Sequence, residues 1–151
     1  MSFVICCATS EYGVITTDGR VVDYETESVI QEDFKKVIRV SDDVIVGFAG
    51  MKDFAVNAVN YAIKKNSDKI ATVENISSSI QSITMMAKFT HTYTGKTVFY
   101  VLGKSHNGYL MYTLVTDGEA KQITPTSGTD MRISCCGCSL EEDPIPMCTS
   151  S

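Results

Sequence analysis

Two histidines, six cysteines and a serine beside the N-terminus are the residues of this 151-residue chain best suited to nucleophilic chemistry. His91 stands in the polar stretch 90–94, and His106 precedes Asn107-Gly108, a strong hairpin signal. Both read as exposed loop residues, and no Ser-His-Asp set can be argued from their spacing. The chain has no H-E-x-x-H, no G-x-S-x-G and no phosphate-cradling glycine loop. Cys135 and Cys138 form a C-x-x-C, the spacing of a redox pair or of half a zinc site. A structural zinc needs four ligands, only Cys148 is near, and the motif closes a strand-like run instead of opening a helix. Buried or incidental thiols are therefore favoured, with no metal and no cofactor. Any nucleophile must be activated in another way. The chain's own α-amine is one such base, because an N-terminal Ser, Thr or Cys can attack without a histidine. Ser2 follows Met1, and its small size permits removal of that methionine. The apolar run from Phe3 to Ala8 would then hold Ser2 rigidly at a sheet edge.

The elements that must position these residues can be read from composition and periodicity. Fifteen Val, thirteen Ile and sixteen Thr stand against four Leu. Such β-branched side chains lose rotamer freedom in helices and fit a pleated surface, so the chain leans toward sheet. Strands are expected at Phe3 to Ala8, Val14 to Thr17, Arg20 to Val22, Lys36 to Val40 and Val44 to Gly50, with an irregular acidic stretch at 23–33. After Gly50 the period changes. Phe54, Ala58, Tyr61 and Ala62 recur at helical spacing, and Lys64-Lys65 suit the negative end of that helix. A second helix starts near Thr72, its N-cap, with a core stripe of Ile76, Ile80, Ile83 and Ala87. Ser77 to Ser79 depress its propensity, so packing must hold it. Strands return at Thr97 to Leu102, Tyr109 to Val115, Glu119 to Thr124 and Met131 to Cys136, and an irregular tail covers 139–151. Strands, two helices and strands again describe one layered α+β domain over 1–151.

Charge and hydropathy exclude several functions. Thirteen basic against eighteen acidic residues give a net charge of −5, with no basic run, so nucleic acid is a poor partner. No stretch has about eighteen consecutive apolar residues, so no membrane span is expected. The apolar N-terminal stretch lacks a basic region before it, which predicts a cytoplasmic protein with reduced thiols.

Several segments together resemble the β-subunit family of proteasomes and the bacterial HslV-type peptidase, both N-terminal-nucleophile hydrolases. They are Ser2 with its apolar strand, Thr16-Thr17-Asp18-Gly19-Arg20, Lys35-Lys36-Val37-Ile38-Arg39-Val40, and Val44-Ile45-Val46-Gly47-Phe48-Ala49-Gly50. Asp18 follows Ser2 by sixteen positions and Gly50 follows Lys36 by fourteen, close to the family's spacings. The resemblance implies two stacked antiparallel sheets between helical layers, in an α/β/β/α order. It makes Ser2 the nucleophile and its freed α-amine the base. It makes Lys36 a positive charge that lowers the pKa of the site, with Asp18 orienting Lys36. The Gly50 N–H would stabilise the oxyanion, and Phe48 would line the pocket for the residue before the scissile bond. Ser139 matches a supporting serine.

The resemblance spans residues 2 to 139. Twelve residues follow Ser139, so the second helical layer is expected to be reduced or missing. A sheet face without its helices exposes apolar area, which a partner, a second copy or the tail would cover. A homo-oligomer, ring or dimer, is expected, acting on a peptide or protein substrate, with an ATPase partner as a further implication of the family. Two functions stay open: an amide-hydrolysing peptidase of the threonine-peptidase type that acts once Met1 is removed, and a non-catalytic proteasome-like protein serving assembly or binding.

Overall fold

A computed structural model describes residues 2–23, 25–90, 97–105, 108–115, 121–123, 131–138 and 148–150. The chain opens with β1 (Ser2–Ala8) and β2 (Gly13–Thr17), antiparallel, with Cys6 opposite Ile15. Thr9 makes the turn between them. Its Oγ1 accepts the N–H groups of Glu11 and Tyr12 at 3.1 and 2.9 Å and donates to the Tyr12 carbonyl at 3.1 Å. A two-stranded ribbon follows, β3 (Val21–Val22) with β4 (Val29–Gln31). Its turn is fastened by Asp23 Oδ1, which accepts the Glu25 and Thr26 N–H groups. Next come β5 (Val37–Arg39), β6 (Val44–Ala49), and the helices α1 (Lys52–Lys65) and α2 (Val73–Thr90). The remaining strands are β7 (Val98–Ser105), β8 (Gly108–Val115), β9 (Lys121–Ile123), β10 (Met131–Cys138) and β11 (Cys148–Ser150).

The protein is mixed α+β with antiparallel sheets. One sheet runs β11-β10-β1-β2 and the other β5-β6-β7-β8-β9. Alternation along β6 and β7 sends side chains to two separate cores. Val44, Val46, Phe48, Phe99 and Val101 pack against Ala55, Ala58, Val59 and Ala62 of α1 and Ile76 and Ile80 of α2. On the opposite face, Ala49, Val98, Tyr100 and Leu102 meet Val4, Cys6 and Ala8 of β1, with Ile15 beside them. A strand covered on both faces is a continuous apolar run, which is why β6 is buried at nearly every position. Gly47 lets the sheets approach: a Cβ there would lie 2.5 Å from Ile15 Cγ2.

Several expectations are refined. The 23–33 stretch contains β4, whose exposed Val29 and Ile30 carry no alternation signal and which is held by pairing with β3. The 139–151 segment is not wholly irregular, because β11 pairs with β10, placing Met131 opposite Ser150. The buried stripe of α1 is Ala55, Ala58, Val59 and Ala62. It is rotated from the expected one, leaving Tyr61 at the surface, where Lys65 Nζ lies 5.7 Å from its ring centroid. Small alanines allow α1 to lie close to α2 and the sheet. The α2 stripe is as expected, and Thr72 Oγ1 accepts the Asn75 N–H at 3.1 Å. Packing does hold the serine run: Ser77 and Ser79 are buried, and Asn66 Nδ2, at the end of α1, donates to Ser79 Oγ at 3.0 Å. The other face of β1 and β2 presents Phe3, Ile5 and Val14, 43%, 37% and 50% exposed. No helix among the described residues is long and apolar enough to cross a membrane.

Candidate functional site

Ser2 opens β1, Asp18 follows β2, Lys36 precedes β5 and Gly50 follows β6, so strand ends carry all four residues. Two of them, Lys36 and Asp18, are joined directly. Lys36 Nζ donates to Asp18 Oδ1 at 2.9 Å and to the Arg20 carbonyl at 2.5 Å. The Lys36 side chain is only 4% exposed and that of Asp18 19%. Burying an ammonium costs several kcal/mol unless opposite charge and acceptors surround it, and here a carboxylate and a carbonyl do so. Asp18 Oδ1 also accepts the Phe3 N–H at 3.1 Å, while the Asp18 N–H donates to the Phe3 carbonyl at 3.4 Å. The carboxylate is thereby fixed to the residue following Ser2.

Lys36 is tied to the oxyanion candidate through the backbone. Its carbonyl accepts the Phe48 N–H at 3.0 Å, and Phe48 lies two residues before Gly50. Gly50 has φ 123°, a backbone region that L side chains rarely adopt. The next N–H, that of Met51, donates to Thr97 Oγ1 at 3.1 Å.

A cavity of about 300 Å³ opens beside the ion pair, with Thr17, Asp18, Asp33, Phe34, Lys36 and Val37 in its walls. Phe48 lies outside this lining. It is 1% exposed in the helix-facing core, and its ring meets that of Phe34 at a centroid distance of 6.4 Å. Phe34 is the aromatic residue in the cavity wall. Lys52 Nζ stands 4.4 Å from the Phe34 ring centroid and donates to Gln31 Oε1 at 3.5 Å. Phe34, Lys52 and Thr97 were missed by sequence reasoning. Only Lys52 carried a signal, a cation in the first turn of a helix, where the dipole disfavours it.

Burial disfavours the thiolate form of both cysteines on β1. Burial, with Cys7 adding a smaller push, raises the Cys6 thiol far above its ordinary value, and burial raises Cys7 as well. At the surface, hydrogen bonds from the Thr26 backbone and side chain hold the Asp23 carboxyl below the usual range. No three His, Cys, Asp or Glu residues converge as a metal site among the described residues. Cys135 and Cys138 both belong to β10, with Cys135 opposite Ile5 and Cys138 opposite Ser2 in the register. His91, His106 and Ser139 lie outside the described residues, as do Leu140, Ile145 and Met147 of the tail. Comparison with known proteins gives no matching family model and no similar curated sequence.

Proposed function

We propose that this chain is an N-terminal-nucleophile hydrolase of the proteasome β-subunit and HslV-type kind, cleaving amide bonds through an acyl-Ser2 intermediate. On this reading the helix pair, the five-stranded sheet and the four-stranded sheet would be three of its layers, and the fourth is the one expected to be reduced. One observation carries the reading: a buried lysine is paired with a carboxylate that itself accepts the N–H of the residue after Ser2. A buried ion pair contributes little net stability, so its presence at a strand end beside a cavity supports a chemical role. With Ser2 as the first residue, its hydroxyl oxygen bonds to the substrate carbonyl carbon while its proton passes to the α-amine. The Lys36 charge favours the developing alkoxide, and the Gly50 N–H binds the oxyanion. The C–N bond then breaks, the proton leaves with the amine product, and water hydrolyses the ester.

A second reading, a proteasome-like protein kept for assembly or binding, is favoured by the exposed Phe3, Ile5 and Val14 on the outer sheet face. Either reading leads us to expect a homo-oligomer. Intact mass before and after incubation with a β-lactone separates them. Loss of Met1 and a single adduct, absent in Ser2→Ala and strongly reduced in Lys36→Ala, supports the hydrolase. Retained Met1 with no adduct sinks it and leaves the assembly reading.

A further inference from the structure

Gly50 is held on both sides by two consecutive residues of one segment. Before it, Ala49 faces Val98 in the final pair of the β6–β7 ladder. After it, the Met51 N–H donates to Thr97 Oγ1 at 3.1 Å. Thr97 is 0% exposed. A glycine populates both signs of φ readily, so the aim of its N–H depends on how the flanking peptides are fixed. The hydroxyl is not acting as a helix cap. Met51 is the N-cap residue of α1, extended at φ −75° and ψ 113° with no side-chain cap of its own. Capping side chains accept from the second or third N–H of a helix, whereas Thr97 accepts from the N-cap residue itself. Valine would fill the same buried volume, so the oxygen is what distinguishes threonine here.

We infer that Thr97 is a positioning residue: by holding the Met51 N–H it fixes the turn so that the Gly50 N–H faces the carbonyl oxygen of a bound acyl group. This rests on the N-terminal-nucleophile reading, and it adds to that reading a group remote in sequence from every residue that touches substrate. Misdirecting an oxyanion donor leaves binding intact and slows the step in which charge develops.

The test is β-lactone labelling of the full chain with Ser2 exposed, comparing wild type, Thr97→Val and Thr97→Ser. In Thr97→Val the maximal labelling rate should fall by about ten- to a hundredfold. The half-saturating lactone concentration and the final labelled fraction should stay close to wild type. Thr97→Ser, which keeps the oxygen, should restore most of the rate. Amide hydrogen exchange should report lost protection at Met51 in Thr97→Val alone. Should Thr97→Val not fold, Thr97→Cys keeps the volume with a poor acceptor and takes its place. A Thr97→Val rate equal to wild type overturns the inference, as does a loss confined to the labelled fraction, which a merely structural role would give. No labelling of wild type at all is a different failure: it removes the nucleophile reading, and the role of Thr97 goes with it.

Discussion

Lys36 and Asp18 are joined at 2.9 Å, and the Asp18 oxygen that accepts from Lys36 also accepts the Phe3 N–H. One carboxylate oxygen therefore sets the distance between a buried cation and the first strand. The bond to Lys36, partly shielded from water, is stronger than its counterpart in water, whereas the Phe3 bond lies at the surface. The arrangement links the start of β1, the end of β2 and the start of β5, three places far apart in sequence.

Removing the two partners should have unequal costs. Asp18→Ala leaves an ammonium buried without its counter-charge, and urea unfolding should show a loss of roughly 3 kcal/mol. Lys36→Met replaces the buried charge with an apolar chain of similar length and leaves the more exposed carboxylate behind. Its loss should be smaller, about 1 kcal/mol or less. Both variants should strongly reduce lactone labelling. Equal destabilisation by the two would show that burial of Lys36 is not what the carboxylate supports.

Cys6 gives stability a pH dependence whose sign is fixed. The folded thiol is raised far above the value of 9.0 that an unperturbed thiol shows, so above that pH the native state holds a proton that the unfolded chain has lost. Its stabilising contribution is fully present well below pH 9.0 and declines as pH rises past that value. Urea titrations of wild type and Cys6→Ala from pH 7 to about 10.5 should show a steeper fall for wild type. Parallel profiles would mean that the folded thiol ionises normally.

The strands and the second helix were legible because period is a local property. The run of β6 and the Ile76–Ile80 stripe of α2 depend on neighbours within a few residues. The cap at Thr72 needs only the next turn. Phe48 shows where that stops. Its residue type suits a substrate pocket, yet in β6 it shares a face with Val44 and Val46, which pack on the helices. Which face of a central strand meets helices is set by distant chain and cannot be read from the strand itself. The Met51–Thr97 bond joins residues 46 apart, and a lone threonine entering a strand carries no sign of such a partner. The Lys36–Asp18 pair was found through a family resemblance that gave spacing, whereas the structure supplied its burial and its link to Phe3.

Gly47 should be intolerant for a packing reason that a second substitution relieves. A Cβ at that position lies 2.5 Å from Ile15 Cγ2 and 3.4 Å from Val4 Cγ2. Gly47→Ala should cost about 1–3 kcal/mol by forcing the sheets apart. Ile15→Leu removes the offending Cγ2, so the double variant should be more stable than the sum of the two single losses by at least about 0.5 kcal/mol. Strict additivity in a double-mutant cycle would place the strain elsewhere.

Gly50→Ala tests the backbone instead of the packing. At φ 123° an alanine is strained whatever space surrounds it, and the penalty for such a conformation is about 1–3 kcal/mol. Because β6 is fixed on one side and Met51 by Thr97 on the other, the strain cannot spread and must be relieved by rotating the turn between them. The melting temperature should therefore fall modestly, while lactone labelling of Ser2 falls by a factor of about 100 or more, as expected when an oxyanion donor is lost. The ratio of the two effects is the informative quantity. A variant that loses stability but labels at the wild-type rate would show that the Gly50 turn shapes the fold without serving the reaction.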